Sequence, residues 1–398
     1  MRRPFLLFAF VSASLATSGI AAEPVVQTSR DALAQDADAY AKAYALPPAN
    51  ALARLKAQAD SVATTERLRT TYRSRLAGMY IEQRPVWRIV VLLTGTDKPA
   101  DYTVSAGGMQ VPVTFQAGAQ VTREQVLAAI DLHRAAISSA VPGVRGVGHD
   151  PRTGRMIVMQ RASAARRPAA EIEGELARLT GVPVTLRRLQ ATFANTGALG
   201  GSRVVGPLNG VGYVCTTGFV VTYGALAGIT TAAHCPDNMT YRGPDGEERL
   251  LKFAGGWGTA YRDVQVHTGV GRADPLFFAD KARTQARAVT SWRTRPMTRA
   301  GDIVCMRGES SGYNCSEVEL IDFAPPAELC GGLCSASWVT VKGPECRRGD
   351  SGGPVFLGTT AYGILKGGAF IDGQRCAFYY YMSVDYLPEN WRLVTRRD

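Results

Sequence analysis

Arg347-Arg348-Gly349-Asp350-Ser351-Gly352-Gly353-Pro354 decides how this chain is read. One nucleophile-capable hydroxyl stands between glycines, with an acid just before it. Acyl transfer by serine needs such a setting, because N–H groups beside the hydroxyl must point at the oxyanion that forms when a carbonyl is attacked. Glycine lets the backbone approach a substrate carbonyl and adopt the dihedrals that aim those amides. Taken alone, the octapeptide also fits a Gly-rich turn, since Val355-Phe356 and Tyr362-Gly363-Ile364-Leu365 both read as strands. A histidine and a carboxylate elsewhere must choose between the two readings.

Thr230-Thr231-Ala232-Ala233-His234-Cys235 follows a strand, Gly218 to Tyr223. A histidine ringed by small residues can hold one rotamer and leave its ring open towards a neighbour. An isolated His in this setting reads as a satisfied core residue; beside the Gly-Asp-Ser-Gly-Gly run it reads as a general base. His267 is the only other histidine in residues 201–398, so candidates for that role are few.

Thr231-Ala232-Ala233-His234-Cys235 and Gly349-Asp350-Ser351-Gly352-Gly353-Pro354 resemble the two signatures of the chymotrypsin-like serine proteases. The resemblance implies an all-β domain of two antiparallel six-stranded β-barrels. It makes His234 the base that takes the proton of Ser351, and the N–H groups of Gly349 and Ser351 the oxyanion hole. The third member must lie between them, among Asp237, Asp245, Asp263, Asp274, Asp280, Asp302 and Asp322. Asp263 is the best choice, because Tyr261-Arg262-Asp263-Val264-Gln265-Val266-His267 resembles a stretch of secreted bacterial members. An acid entering an apolar strand is also buried and needs a partner. Asp274, in Ala273-Asp274-Pro275, is the runner-up and reads better as a turn residue.

Gly301-Asp302-Ile303-Val304-Cys305 and Ser311-Gly312-Tyr313-Asn314-Cys315 resemble a hairpin of α-lytic-protease-like and streptogrisin-like enzymes. The framework of that group implies disulfides Cys215–Cys235, Cys305–Cys315 and Cys346–Cys376, which leaves Cys330 and Cys334 for a small extra loop. Gly363 to Gly368 aligns with the substrate-binding strand, where Gly367 and Gly368 would let an extended peptide pair by strand addition. Leu365 and Arg347 would line the S1 pocket. A modest apolar P1 preference is expected, an acidic P1 read by Arg347 is second, and Glu345 keeps a basic P1 open. Lys366 departs from the pattern: relatives usually carry Ser there, supporting the triad Asp, so a Lys either points away or changes that support.

The 398-residue length suggests two or three domains, and 46% apolar residues supply packed cores. The formal charge of +11 divides unevenly. Residues 1–200 carry 24 basic and 15 acidic side chains, residues 201–398 carry 21 and 19. The basic excess is dispersed and lacks the aromatic interleaving of a nucleic-acid groove, so nucleic-acid binding is excluded. All 8 cysteines lie at or after Cys215, which reads as disulfides in an oxidising compartment. No zinc-type ligand spacing completes a site, and neither metal nor cofactor is expected.

Residues 1–22 read as a signal peptide: Arg2-Arg3, an apolar run from Phe5 to Ala16, and Ile20-Ala21-Ala22 at the cleavage site. General secretion is favoured over twin-arginine export, and no other segment approaches the roughly 20 apolar residues of a membrane helix. Residues 23–199 then form a pro-region. Its part at 29–80 reads as helical, with Ser29 and Asp31 as caps and Pro47-Pro48 as a break. The part at 87–190 reads as strand (Val111 to Phe115), helix (Thr122 to Ser139, with a Thr122/Gln125 capping box), hairpin, helix and strand. That βαββαβ order is the order of a ferredoxin-like unit. Residues 191–199 are a small, polar, Gly-rich linker, and residues 200–398 are the protease-like domain, in which a C-terminal helix starting near Val384 is limited by Pro388. The reading is a monomeric, secreted serine endopeptidase whose pro-region folds and inhibits it, acting on protein or peptide substrates. The alternative is a catalytically impaired pseudoprotease that binds peptides.

Overall fold

A computed structural model describes residues 25–195, 201–208, 210–244, 246–343, 345–371 and 375–396. The expected signal peptide lies outside the described residues, as do residues 196–199 of the expected linker, whose first part, Ala191–Asn195, is a strand instead. Two β-structures make up the C-terminal half. The second is a closed barrel of six strands: Ile303–Gly308, Pro354–Leu357, Thr360–Ile371, Arg375–Ser383, Trp338–Lys342 and Gly312–Ala324, the last pairing back with the first. Its interior is aromatic and aliphatic, with Phe323, Trp338, Phe356, Ile364 and Tyr380 all buried. The first is a path of eight strands, running Val211–Thr216, Arg203–Leu208, Met239–Arg242, Glu248–Thr259, Arg262–Thr268, Leu226–Thr231, Val220–Tyr223 and Arg392–Leu393. The Cys215–Cys235 disulfide ties the first strand of this path to the turn after Leu226–Thr231, in a core with Val204, Met239 and Leu251. The remaining disulfides are Cys305–Cys315, Cys330–Cys334 and Cys346–Cys376.

The N-terminal half is α+β. Helix Ser29–Tyr44 takes Thr28 as its cap rather than Ser29, the Thr28 hydroxyl accepting from the Asp31 amide. Pro48 opens the next helix, Pro48–Asp60, where its missing N–H costs nothing. Helix Arg123–Ala140 carries the expected capping box, with Thr122 and Gln125 satisfying each other's backbone amides.

The βαββαβ order is present along the chain, but no single ferredoxin-like sheet forms. Strand Met109–Ala119 runs parallel to Arg88–Thr94 in a separate four-stranded sheet with Leu76–Glu82 and Tyr102–Ala106. The reason lies in burial. Ile89, Val91 and Leu93 form a near-continuous apolar strand that needs a neighbour on each side, and alternating Val111, Val113 and Phe115 supply the matching face. The other three strands, Val144–Asp150, Arg155–Arg161 and Val184–Leu189, are covered by helices Arg123–Ala140 and Ala169–Thr180. They extend the second barrel's sheet, through pairing of Val147 and Gly148 with Ala324 and Phe323. The expected C-terminal helix is absent: Val384–Tyr386 makes one 3-10 turn, ended before Pro388.

The halves share further contacts. Val25–Gln27 pairs in parallel with Gln285–Ala288. The Gln58 side chain stands in for a neighbouring strand, exchanging both amide hydrogen bonds with the backbone of Ile303 at 2.7 and 2.9 Å. Asp36 and Arg287 are each wholly buried and paired at 2.9 Å, and the Tyr313 hydroxyl donates to the same carboxylate at 2.7 Å.

Candidate active site

His234 sits on the turn just after strand Leu226–Thr231, closed by the Cys235 amide donating to the Ala232 carbonyl at 3.1 Å. Asp263 is the second residue of strand Arg262–Thr268, whose middle pairs with that same strand. Adjacent strands therefore bring the turn histidine over the carboxylate. Asp263 Oδ2 lies 2.7 Å from His234 Nδ1, and Oδ1 accepts from the His234 amide at 3.2 Å. Two bonds from one carboxylate fix both the ring and the backbone that carries it. Asp274, by contrast, pairs with Arg272 in a loop.

Ser351 comes from the second barrel. Its loop is pinned by Gly352 N–H to the Leu365 carbonyl at 2.7 Å and Leu365 N–H to the Gly353 carbonyl at 2.9 Å. A third tie crosses from the eight-stranded path, where the Thr216 amide donates to the Ser351 carbonyl at 2.9 Å. Gly352 has φ +88°, and a Cβ there would lie 2.0 Å from the Thr216 carbonyl oxygen, so only glycine fits. Asp350 is buried and anchors the loop, accepting from the amides of Arg347, Ser310 and Ser311 and from the Ser311 hydroxyl. Burial pushes its carboxyl upward against the pull of those donors.

Ser351 Oγ lies 2.9 Å from His234 Nε2 and 2.8 Å from the Lys366 carbonyl oxygen. The hydroxyl thus has one proton and two acceptors, a nitrogen able to remove it and a carbonyl able to hold it. Asp263 is 2% exposed. Burial alone would raise its carboxyl, but His234 and Lys366 more than reverse this and hold it well below the usual carboxylate range. Oriented base, anchored acid and a hydroxyl in reach are the parts of nucleophilic acyl transfer.

Gly349 and Ser351, the expected oxyanion donors, occupy the same pinned loop, with Gly349 at φ +119°. The residues expected to read substrate are dispersed. Leu365 is fully buried in the barrel core, while Arg347 and Glu345 are exposed. Gly368 packs so close to the Cys346–Cys376 disulfide that a Cβ would meet Cys346 Sγ at 2.6 Å, a packing demand rather than an open pocket. The edge of this strand is occupied: Ala191–Asn195 lies antiparallel along it, Asn195 opposite Gly367 and Ala194 opposite Gly368. Ser351 itself is 0% exposed.

The side chain of Lys366 turns inward. Its Nζ is 3.1 Å from Asp263 Oδ2 and 5.1 Å from the centre of the Trp338 ring. Two neighbours were not legible as site residues, Trp338 and Met382, whose sulfur accepts from the Asp263 amide at 3.4 Å. Neither carries a motif; only proximity in the barrel marks them.

No family model matches the chain, and no curated protein matches it. Among solved structures it is similar to protease A of Thermobifida fusca, at 22% identity and a TM-score of 0.40 over 50% of this chain and 100% of that one. It is also similar to a chymotrypsin from Cellulomonas bogoriensis, at 20% identity and 0.39 over 50% and 98%. A Nocardiopsis protease is similar at 18% identity and 0.35, with the same coverage.

Proposed function

We propose that this chain is a secreted serine endopeptidase of the chymotrypsin-like class, made with an N-terminal pro-region that occupies its own cleft. The observation that carries the reading is the line Asp263–His234–Ser351, at 2.7 and 2.9 Å, assembled from the eight-stranded path and the closed barrel. In this mechanism His234 Nε2 takes the Ser351 proton as Oγ attacks the scissile carbonyl, while Asp263 holds the ring and offsets the charge of the imidazolium. The tetrahedral oxygen is received by the Gly349 and Ser351 amides. His234 then protonates the leaving amine, and water repeats the sequence on the acyl-enzyme to free Ser351. Export is supported by the leader sequence and by four disulfides, which belong to oxidising compartments.

The pro-region role is supported by Ala191–Asn195, which pairs with the strand Thr360–Ile371 as an extended peptide substrate would. Self-cleavage near the end of Ala191–Asn195 would release the C-terminal domain. A pseudoprotease reading draws on the unusual Lys366–Asp263 pair. Fluorophosphonate labelling of the secreted protein separates the two, with N-terminal sequencing of the labelled band. The expected result is Ser351-dependent labelling of a species that starts between Ala194 and Val204, abolished in Ser351→Ala. Absence of labelling in processed protein rejects the enzyme.

A further inference from the structure

We infer that Lys366 is a positioning residue of the triad, a fixed internal cation that sets the pH range in which the enzyme works; the inference rests on the proposed protease reading. Asp263 Oδ2 serves two partners, His234 Nδ1 at 2.7 Å and the Lys366 ammonium Nζ at 3.1 Å. Lys366 and Asp263 are each 2% exposed, so water screens neither. A buried ammonium is tolerated only where a counter-charge and further contacts replace its hydration. Both are present: the carboxylate on one side and the face of Trp338 on the other. Trp338 is itself fixed, its indole N–H donating to the Ala260 carbonyl at 3.2 Å.

The same residue touches the opposite end of the relay, since its carbonyl oxygen lies 2.8 Å from Ser351 Oγ. Strand Thr360–Ile371 is locked at this point by the Leu365 bonds to Gly352 and Gly353, so the main chain of Lys366 cannot slide without moving the nucleophile loop. One residue thereby sets both the distance of Ser351 from the base and the charge felt by the acid.

The chemical consequence follows from charge sharing. In the reaction His234 becomes an imidazolium, and a triad carboxylate favours that form by its negative charge. A second positive charge on the same oxygen partly cancels the field and disfavours it. Among the described residues, the Tyr380 hydroxyl also feels Asp263, and Glu328 as well, and burial holds it neutral. Neither supplies a compensating charge in contact with the carboxylate. Removing the cation should therefore favour the imidazolium, and the acid limb of activity should move with the charge at position 366.

The test is the pH dependence of Ser351 fluorophosphonate labelling and of kcat/KM on a peptide substrate. Both are measured for the unmutated mature enzyme and for Lys366→Ser, Lys366→Met and Lys366→Arg. In the neutral variants the acid limb moves up by roughly one pH unit or more. In Lys366→Arg, which keeps the charge, it stays where the unmutated enzyme has it. A purely structural Lys366 would lower the plateau in all three variants and leave the limb in place, and that result overturns the inference. If those two neutral variants do not fold, Lys366→Gln, which keeps a polar group beside Asp263 without the charge, is read in their place, and an unmoved limb there overturns the inference. Failure of the unmutated enzyme to label at any pH would instead reject the protease reading.

Discussion

Asp36→Ala should loosen the hold of the N-terminal half on the barrels by two to three orders of magnitude or more. Asp36 and Arg287 come from sequence positions 251 apart, and neither is exposed. The carboxylate takes both of its contacts with Arg287 through Nη1, at 2.9 and 3.1 Å, and further bonds from the Tyr313 hydroxyl and the Gly358 amide. Truncation leaves the guanidinium buried over Phe356 without its counter-charge. Losing one member of a buried pair costs about 3–5 kcal/mol. Once the halves separate, Arg287 regains water, so the cost falls on the complex alone. At about 1.4 kcal/mol per tenfold, the dissociation constant should rise roughly 100- to several-thousand-fold. The assay uses the full chain with Ser351→Ala, cut at a specific protease sequence inserted after residue 196, and reads dissociation of the two pieces by light scattering. Replacing the pair together, Asp36→Leu with Arg287→Met, should restore most of the affinity, because the stranded charge is removed with its partner. A change below about threefold for Asp36→Ala would show that water already reaches this pair, and would refute the reasoning.

Three other perturbations have defined outcomes. Gln58→Leu strips Ile303 of both amide partners, leaves a buried N–H and carbonyl unmatched, and should weaken the same two-piece complex by about 2–3 kcal/mol; an unchanged affinity would mean that the strand edge pairs with water instead. His267 is buried with no partner for either ring nitrogen among the described residues, and burial, opposed by Asp237, pushes it down to about 4. Its neutral form suits the folded state. Stability is therefore complete above pH ~6.5 and falls, by about 2–3 kcal/mol, as pH drops towards 4 and only the unfolded chain takes up the proton. His267→Leu in the Ser351→Ala chain should lose less stability between pH 7 and 4.5 in thermal melts, and an equal loss would contradict this. Removing Cys346–Cys376, which spans 30 positions, should cost about 3.7 kcal/mol, against about 2 for Cys330–Cys334, which spans 4. Urea midpoints in the reverse order would contradict the loop-entropy account.

The protease-like half was legible because its chemistry is concentrated in short runs. The turn at His234 and the loop at Ser351 each carry their own structural instructions in small residues and glycines. Asp263 could be chosen from seven aspartates because its stretch resembles one in secreted bacterial members and because an acid entering an apolar strand needs a partner. The destination of Lys366 was not legible. Between Leu365 and Gly367, strand alternation sends it to one face or the other, and only the Asp263 carboxylate and the Trp338 ring make the buried face tolerable. The separate sheet of Met109–Ala119 was hidden for a related reason: an order of strands and helices does not say which apolar faces match. Asp36 resembles any solvated acid on a helix until Arg287 arrives from the other half.

The barrels do not finish their own β-sheets while the N-terminal half is in place. Val25–Gln27 covers Gln285–Ala288, Val147 and Gly148 cover Ala324 and Phe323, and Ala191–Asn195 covers Gly367 to Ile371. Departure of that half would bare three lengths of unpaired backbone at once, the kind of surface on which chains stack into fibrils. Loss of that half would then be a hazard for solubility. Concentrated stocks of the freed domain should keep better with a short strand-forming peptide present than without one.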